Sequence, residues 1–321
     1  MDVVALGELL IDFSTISVMN NGYPVMQANP GGAPANYLAA LSKYGFETSF
    51  IGKIGQDAFG FLLEETLREK GINTDRLVKS GEFFTTLAFV TFDKDGDRSF
   101  SFARKPGADA ALREDEIDFE LIDSAQVFHF GTVSMTEEPA LSATKKAVEW
   151  AKSHDKMISF DPNYRAPLWE DTQKAREAIL WGLKMADVVK ISDDEVSFLW
   201  KDDYRKGAER IINECDVKLV FVTRGPEGCY FQTKNSGGLA DAPKVKTRDT
   251  TGAGDIFGGS AMSRILKTGK TPEELNQDEL NEIVRFALTA ASLSTEKSGG
   301  IESIPDESDV IEAVKRFYNN V

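Results

Sequence analysis

A regular alternation of two kinds of segment constrains this chain more than any other feature. The strings VVALGEL, TSFIGKIG, AQVFHFG, KMISFDP, DVVKIS and KLVFVT are rich in Val, Ile and Phe and read as short buried strands. Between them, PANYLAALSKYG, FGFLLEETLREKG, PALSATKKAVEWAKS and QKAREAILWGLKMA carry the spacing of amphipathic helices. Strand and helix in turn predict an α/β fold on a mostly parallel sheet, covered on both faces. From Asp255 onward the chain becomes mostly helical.

Two segments leave this rhythm. Residues 13–30, FSTISVMNNGYPVMQANP, and 83–103, FFTTLAFVTFDKDGDRSFSFA, read as antiparallel strands, with DKDGDR as a hairpin turn. Neither follows a helix in the α/β order, so together they predict a small sheet standing off the main body as a lid. The expected division is a large α/β domain of residues 1–12, 31–82 and 104–321, with a discontinuous β lid of residues 13–30 and 83–103.

Composition narrows the function. A chain of 321 residues can bury a full α/β core, and no apolar run approaches the roughly 18 residues of a membrane span. The first residues, MDVVALGELLIDF, carry Asp2, Glu8 and Asp12 without a basic n-region. They read as a strand and not a signal peptide, which makes the cytoplasm the expected location. Cys215 and Cys229 have no metal-like spacing. His129 and His154 lack a Ser, Cys or second His at motif spacing, so triad and zinc chemistry are not expected. The net charge of −15 argues against a nucleic-acid partner, and it would also repel ATP at long range. Any polyanion site must therefore be locally positive.

Two glycine strings stand out. In RDTTGAGDIFGG, residues 248–259, Gly252 and Gly254 bare the backbone just before a helical pattern. The amides of residues 252–255 would then face outward at a helix N-terminus, which is an anion site by free N–H groups and dipole. The string is neither a P-loop nor a Rossmann fingerprint. On the residues alone, Asp255 reads either as a site acid or as a first-turn charge complementing the dipole. In NPGGAPANYLAALSKYG, Gly31 and Gly32 precede Pro34, which suits a first helical turn, and Asn36 offers a donor and an acceptor. Asp12, read near the carboxyl end of the first strand, is either a ligand residue or a turn residue.

These strings, with GELLID, IGKIGQDAFG and FVTRGPEG in order between and before them, resemble the ribokinase-like (PfkB) carbohydrate kinases nearly end to end. The resemblance implies a doubly wound, mostly parallel sheet with a small β lid, and an ATP-dependent sugar kinase. It implies that Asp255 is the general base and that the amides of Gly252, Ala253 and Gly254 form the anion hole. Phosphoryl transfer is mainly positioning and charge stabilisation, which such a loop supplies. Sugar contacts would come from Asp12, Gly31, Gly32 and Asn36. Lys190, Thr223, Gly225 and Gly228 would lie on the nucleotide side. The family organises Mg²⁺ through water with an N-x-x-E string; here SDDE keeps Glu195 but has Ser192 in place of Asn. A monovalent cation, K⁺, would sit beside the loop with Asp249, Thr251, Gly299 and Ser303.

FDPNYRAPLW and SFARKPGADAAL resemble fructokinases more than ribokinases or adenosine kinases. They offer Arg104 and Arg165 as the local cations, Arg104 to the sugar and Arg165 to the phosphate in transfer. The implied reaction is phosphorylation of D-fructose to D-fructose 6-phosphate. The alternatives are a 2-keto-3-deoxygluconate kinase or another sugar or nucleoside kinase. A non-catalytic sugar-binding regulator is disfavoured because Asp255 and both loop glycines are intact. The apolar string TTLAFVTF, as an open lid edge, would pair with a second copy in a homodimer.

Overall fold

A computed structural model describes residues 1–92 and 98–318. Its strands are β1 (Val3–Leu6), β2 (Leu10–Val18), β3 (Pro24–Gly31), β4 (Thr48–Ile51), β5 (Lys53–Gly55), β6 (Ile72–Asn73), β7 (Val78–Ser80), β8 (Leu87–Phe92), β9 (Arg98–Ala103), β10 (Val127–Gly131), β11 (Met157–Asp161), β12 (Val188–Ser192), β13 (Leu219–Thr223), β14 (Cys229–Gln232) and β15 (Gly237–Ala240).

Nine of them form one sheet, in the order β15-β14-β13-β12-β11-β10-β1-β4-β6. From β13 to β6 every pairing is parallel, while β14 and β15 add antiparallel at one edge. Alternate residues of β1 divide the core. Val3 packs with Leu38, Leu41, Phe257, Ile265 and Val284 on one face. Val4 packs with Phe128, Val148, Ile179 and Ile211 on the other. Apolar residues run continuously through these strands because both faces are covered by helices. Chain order reverses between β10 and β1, and such switch points are where open α/β sheets bind ligands, beyond the carboxyl ends of the strands. Among the described residues no helix is long and apolar enough to cross a membrane.

The second sheet has the order β3-β2-β8-β9. Its two hairpins are antiparallel as expected, but β2 and β8 join them in parallel, with Asp12 opposite Ala88. Phe13 stacks on Phe89 at 5.3 Å between ring centroids and meets Phe59 edge-on at 5.6 Å, which ties the lid to the body. Residues 93–97 of the expected turn DKDGDR lie outside the described residues, and Arg98 opens β9.

Three expectations need correction. TSFIGKIG is not one strand: it breaks at Gly52, with β4 in the large sheet and β5 paired to β7 in a separate ribbon. The first strand ends at Leu6, so Asp12 belongs to β2 of the lid sheet and not to the end of β1. TTLAFVTF is not an open edge either: β8 is central in its sheet, with Ala88 and Val90 buried. Among the described residues, the exposed apolar side chains of the β2–β3 hairpin are Ile16, Val18, Met19, Tyr23 and Val25.

Candidate active site

Two cavities open beyond the carboxyl ends of the parallel strands. One, of about 430 Å³, is walled by Glu8, Asp12, Asn36, Phe102, Arg165 and Asp255 among others. The other, of about 650 Å³, is walled by Lys190, Thr223, Gly225, Gly228, Gly254 and Leu288 among others. They meet at one loop: Thr250 borders both, Gly252 and Asp255 face the first, and Ala253 and Gly254 face the second.

That loop opens the helix Ala253–Thr268. Its N-cap Gly252 has φ 75°, a left-handed conformation that favours glycine, and no side chain caps the helix. A first helical turn without a side-chain cap presents its N–H groups to a ligand. Ala253 N–H turns back to the Thr250 carbonyl at 3.3 Å, a long bond. Asp255 is buried in this first turn, and its Oδ2 accepts from Asn36 Nδ2 at 2.8 Å. Burial, with the Asp161 carboxylate, raises its pKa to about 6 against the pull of Lys190, Asn36 and Arg165. Asn36 therefore spends its amide on Asp255, and its Oδ1 is buried without a partner.

On the side of the smaller cavity, Gly31 packs against the Asp12 carboxylate, and a Cβ there would lie 2.4 Å from Asp12 Oδ2. Gly32 has φ 122°, and a Cβ there would meet the Glu8 carbonyl at 2.3 Å, so only glycine fits this entry to the helix Ala33–Lys43. Burial raises Asp12 to about 7; Arg165 opposes the shift, and Asp255 and Asp249 add to it. Arg165, in the turn after β11, is the only cation among the described residues that line this cavity. Arg104 departs from expectation. Its guanidinium is buried, donating to Asp109 at 2.8 Å, Thr136 at 2.7 Å and the Val133 carbonyl at 3.1 Å, and it does not line the cavity. It anchors the end of β9 to the body.

On the side of the larger cavity, Lys190 Nζ meets Asp161 Oδ2 at 3.0 Å, and a Cβ on Gly254 would lie 2.8 Å from Nζ. A largely buried ammonium is thus pressed against the glycine loop from beneath, a positive charge held there in an acidic chain. Thr223, Gly225 and Gly228 line the same cavity. Glu195 is committed elsewhere: its oxygens accept from Ser192 N and Oγ and from Tyr164 N, closing a capping box at the start of the helix Asp193–Trp200. Asp249 joins its neighbours Thr251 and Gly299, accepting from Thr251 N at 2.9 Å and from Gly299 N at 3.2 Å. Ser303 Oγ instead donates to the Gly300 carbonyl.

Sequence reasoning passed over Glu8, Asp161, Asn163 and Phe102. All four lie in strings such as GELLID, FDPNYRAPLW and SFARKPGADAAL, but the importance of Glu8 and Asp161 comes from contacts with Ala33 and Lys190, far away in the chain.

The pattern of the pfkB family of carbohydrate kinases matches residues 1–307. Fructokinase-2 of Zea mays is 40% identical over 308 residues, covering 94% of this chain and 91% of the relative. A fructokinase from Xylella fastidiosa with bound ATP superposes with a TM-score of 0.89 at 28% identity, covering 98% of each chain. A double-mutant fructokinase from Vibrio cholerae, bound to fructose, ADP and potassium ion, superposes at 0.85 with 29% identity, covering 97% of this chain and 98% of the other. The chain belongs to the pfkB family of carbohydrate kinases.

Proposed function

We propose that this kinase transfers the γ-phosphoryl group of ATP to the 6-hydroxyl of D-fructose. The observation that carries the reading is the meeting of two cavities at one uncapped helix N-terminus, with a buried carboxylate, Asp255, on the sugar side. The similarity to fructokinases supplies the sugar. Fructose would lie between Asp12, Arg165 and Asp255, and the nucleotide along Lys190, Thr223, Gly225 and Gly228.

In the proposed step the sugar oxygen bonds to the γ-phosphorus, its proton passes to Asp255, and the bond from phosphorus to ADP breaks. A carboxylate with a raised pKa is a better base than an ordinary one, and the hydroxyl acidifies as it bonds to phosphorus. The amides of Gly252, Ala253 and Gly254 would receive the charge on the phosphoryl oxygens, with Arg165 from the sugar side. Ala253 N–H must leave its long bond to Thr250 to take part.

Among the described residues no three His, Cys, Asp or Glu side chains form a metal cage. Glu195, already holding N–H and O–H donors, fits only a role through water, as suits an ion bound chiefly by phosphates. Mg²⁺ supplies charge neutralisation on those phosphates. Asp249 and Thr251 would hold K⁺ beside the loop. The exposed Ile16, Val18, Met19 and Tyr23 suit pairing with a second lid in a homodimer.

The test is ADP release with Mg²⁺ and ATP across fructose, ribose, 2-keto-3-deoxygluconate, adenosine and no sugar. Release dependent on fructose is expected. Release with another acceptor alone would overturn the choice of sugar, and none from folded protein would overturn the reading.

A further inference from the structure

Glu8 has no part in the reaction described above, yet it is buried, its side chain lines the sugar cavity, and it reaches across the fold. It sits just past β1 at the switch point of the sheet. One oxygen accepts from Ala33 N at 2.8 Å and so caps the helix Ala33–Lys43, whose own N-cap, Gly32, has no side chain. As a cap alone, a neutral side chain would serve; Gln offers the same acceptor.

The charge of Glu8 has a different consequence. Among the described residues, the lining of this cavity holds three carboxylates, Glu8, Asp12 and Asp255, against one guanidinium, that of Arg165. The other nearby arginine, Arg104, is consumed by Asp109 and cannot answer a second anion. A sugar bearing its own carboxylate or phosphate would enter a space that already carries an excess of negative charge, and low-dielectric walls strengthen that repulsion. A neutral polyol meets no such repulsion and finds carboxylate acceptors together with donors such as Arg165.

We infer that Glu8 is a specificity-determining residue, an electrostatic filter that, with Asp12, restricts the acceptor to uncharged sugars. This rests on the sugar-kinase reading of the same cavity. Specificity here works through an unfavourable interaction with the wrong ligand, not through a new contact to the right one. The filter is itself titratable. Burial raises Glu8 to about 7, with Asp109 and Asp255 adding to the rise and the Ala33 N–H opposing it. Asp109 faces Glu8 from the segment after β9 and Asp255 from the helix Ala253–Thr268; Asp12 and Arg165 line the same cavity. Discrimination against an anionic acceptor therefore weakens as pH falls through about 7.

The experiment uses 2-keto-3-deoxygluconate, a ketose acid, as competitor against fructose in wild type and Glu8→Gln, which keeps the cap and removes the charge. The inhibition constant is expected to fall at least about tenfold in the variant, the order of one charge–charge term near a protein surface. The wild-type constant is expected to fall as pH is lowered through the same range, and the variant's to change less. Equal inhibition constants in the two proteins, or tight wild-type inhibition that is flat with pH, would overturn the filter. Thermal melting of both proteins shows whether the cap survived. Absence of fructose turnover in wild type would instead count against the fructokinase reading, so the two failures are told apart.

Discussion

Two helices aim their N-termini at the same space, and they are finished differently. The helix Ala33–Lys43 follows Gly32, and its first amide is taken by the Glu8 carboxylate. The helix Ala253–Thr268 follows Gly252, has no side-chain cap, and carries Asp255 in its first turn. Both glycines hold positive φ angles, so both loops bare their backbone in the same way. The difference lies in who supplies the negative charge. Where the protein supplies it, the helix end is closed to anions and becomes a wall for a neutral sugar. Where no side chain caps the amides, the proposed reaction leaves that end to a phosphoryl group. A glycine before a helix is thus common to both, and the missing cap is what distinguishes the reactive end.

The largest effect should come from the uncapped end. Asp255→Asn keeps an acceptor for Asn36 but removes the base, and turnover should drop at least about 100-fold. Melting should hold or rise, because a buried charge is removed. Full turnover in the variant would reduce Asp255 to a helix-end charge. Next in size is Gly254→Ala. The added Cβ would lie 2.8 Å from Lys190 Nζ, and that ammonium is pinned on Asp161. Displacing either the loop or the ammonium should lower kcat roughly 10- to 100-fold, as misplacements of about 1 Å do. Unchanged kinetics would mean that the ammonium does not support the loop.

The comparison also shows what could be read without the fold. Both glycine strings and the parallel core were legible, because strand runs, helical spacing and helix starts are local signals. What was not legible crosses the sheet. Lys190 and Asp161 are partners because β11 and β12 are neighbours in parallel, and no local pattern announces that register. The cap from Glu8 spans 25 positions in the chain. Arg104 differs, because its partner Asp109 lies only five positions on in SFARKPGADAAL, a local ion pair that the string itself offers. The β14–β15 hairpin was missed because CYFQ and GGLA are too short and too glycine-rich to signal strands.

A smaller effect concerns the carboxylates that face the two ends. Glu8 and Asp12 are raised to about 7 and Asp255 to about 6, all above their ordinary values. The folded state therefore binds protons more tightly than the unfolded one between these values. Stability from these groups is fully present below their ordinary carboxylate pKa values and is lost as pH rises through about 7. The melting temperature should be higher near pH 5 than near pH 8, and Asp12→Asn should flatten the slope. A melting temperature that climbs across this window would show that other groups dominate.

The smallest effect belongs to the capped end and isolates the cap from the charge. Glu8→Ala removes the acceptor for Ala33 N–H, and Gly32 has no side chain to replace it. Losing a cap costs about 0.5–2 kcal/mol. Relief of a buried carboxylate works in the opposite direction, so the net loss should lie at the lower end of that range near pH 7. Glu8→Gln keeps the cap and gains the same relief, so it should melt above Glu8→Ala and no lower than wild type. Equal melting of the two variants would show that water replaces the acceptor as well as a side chain does. In that case the asymmetry between the two helix ends would rest on charge alone, and the sugar wall would be held by Gly32 and the packing behind it.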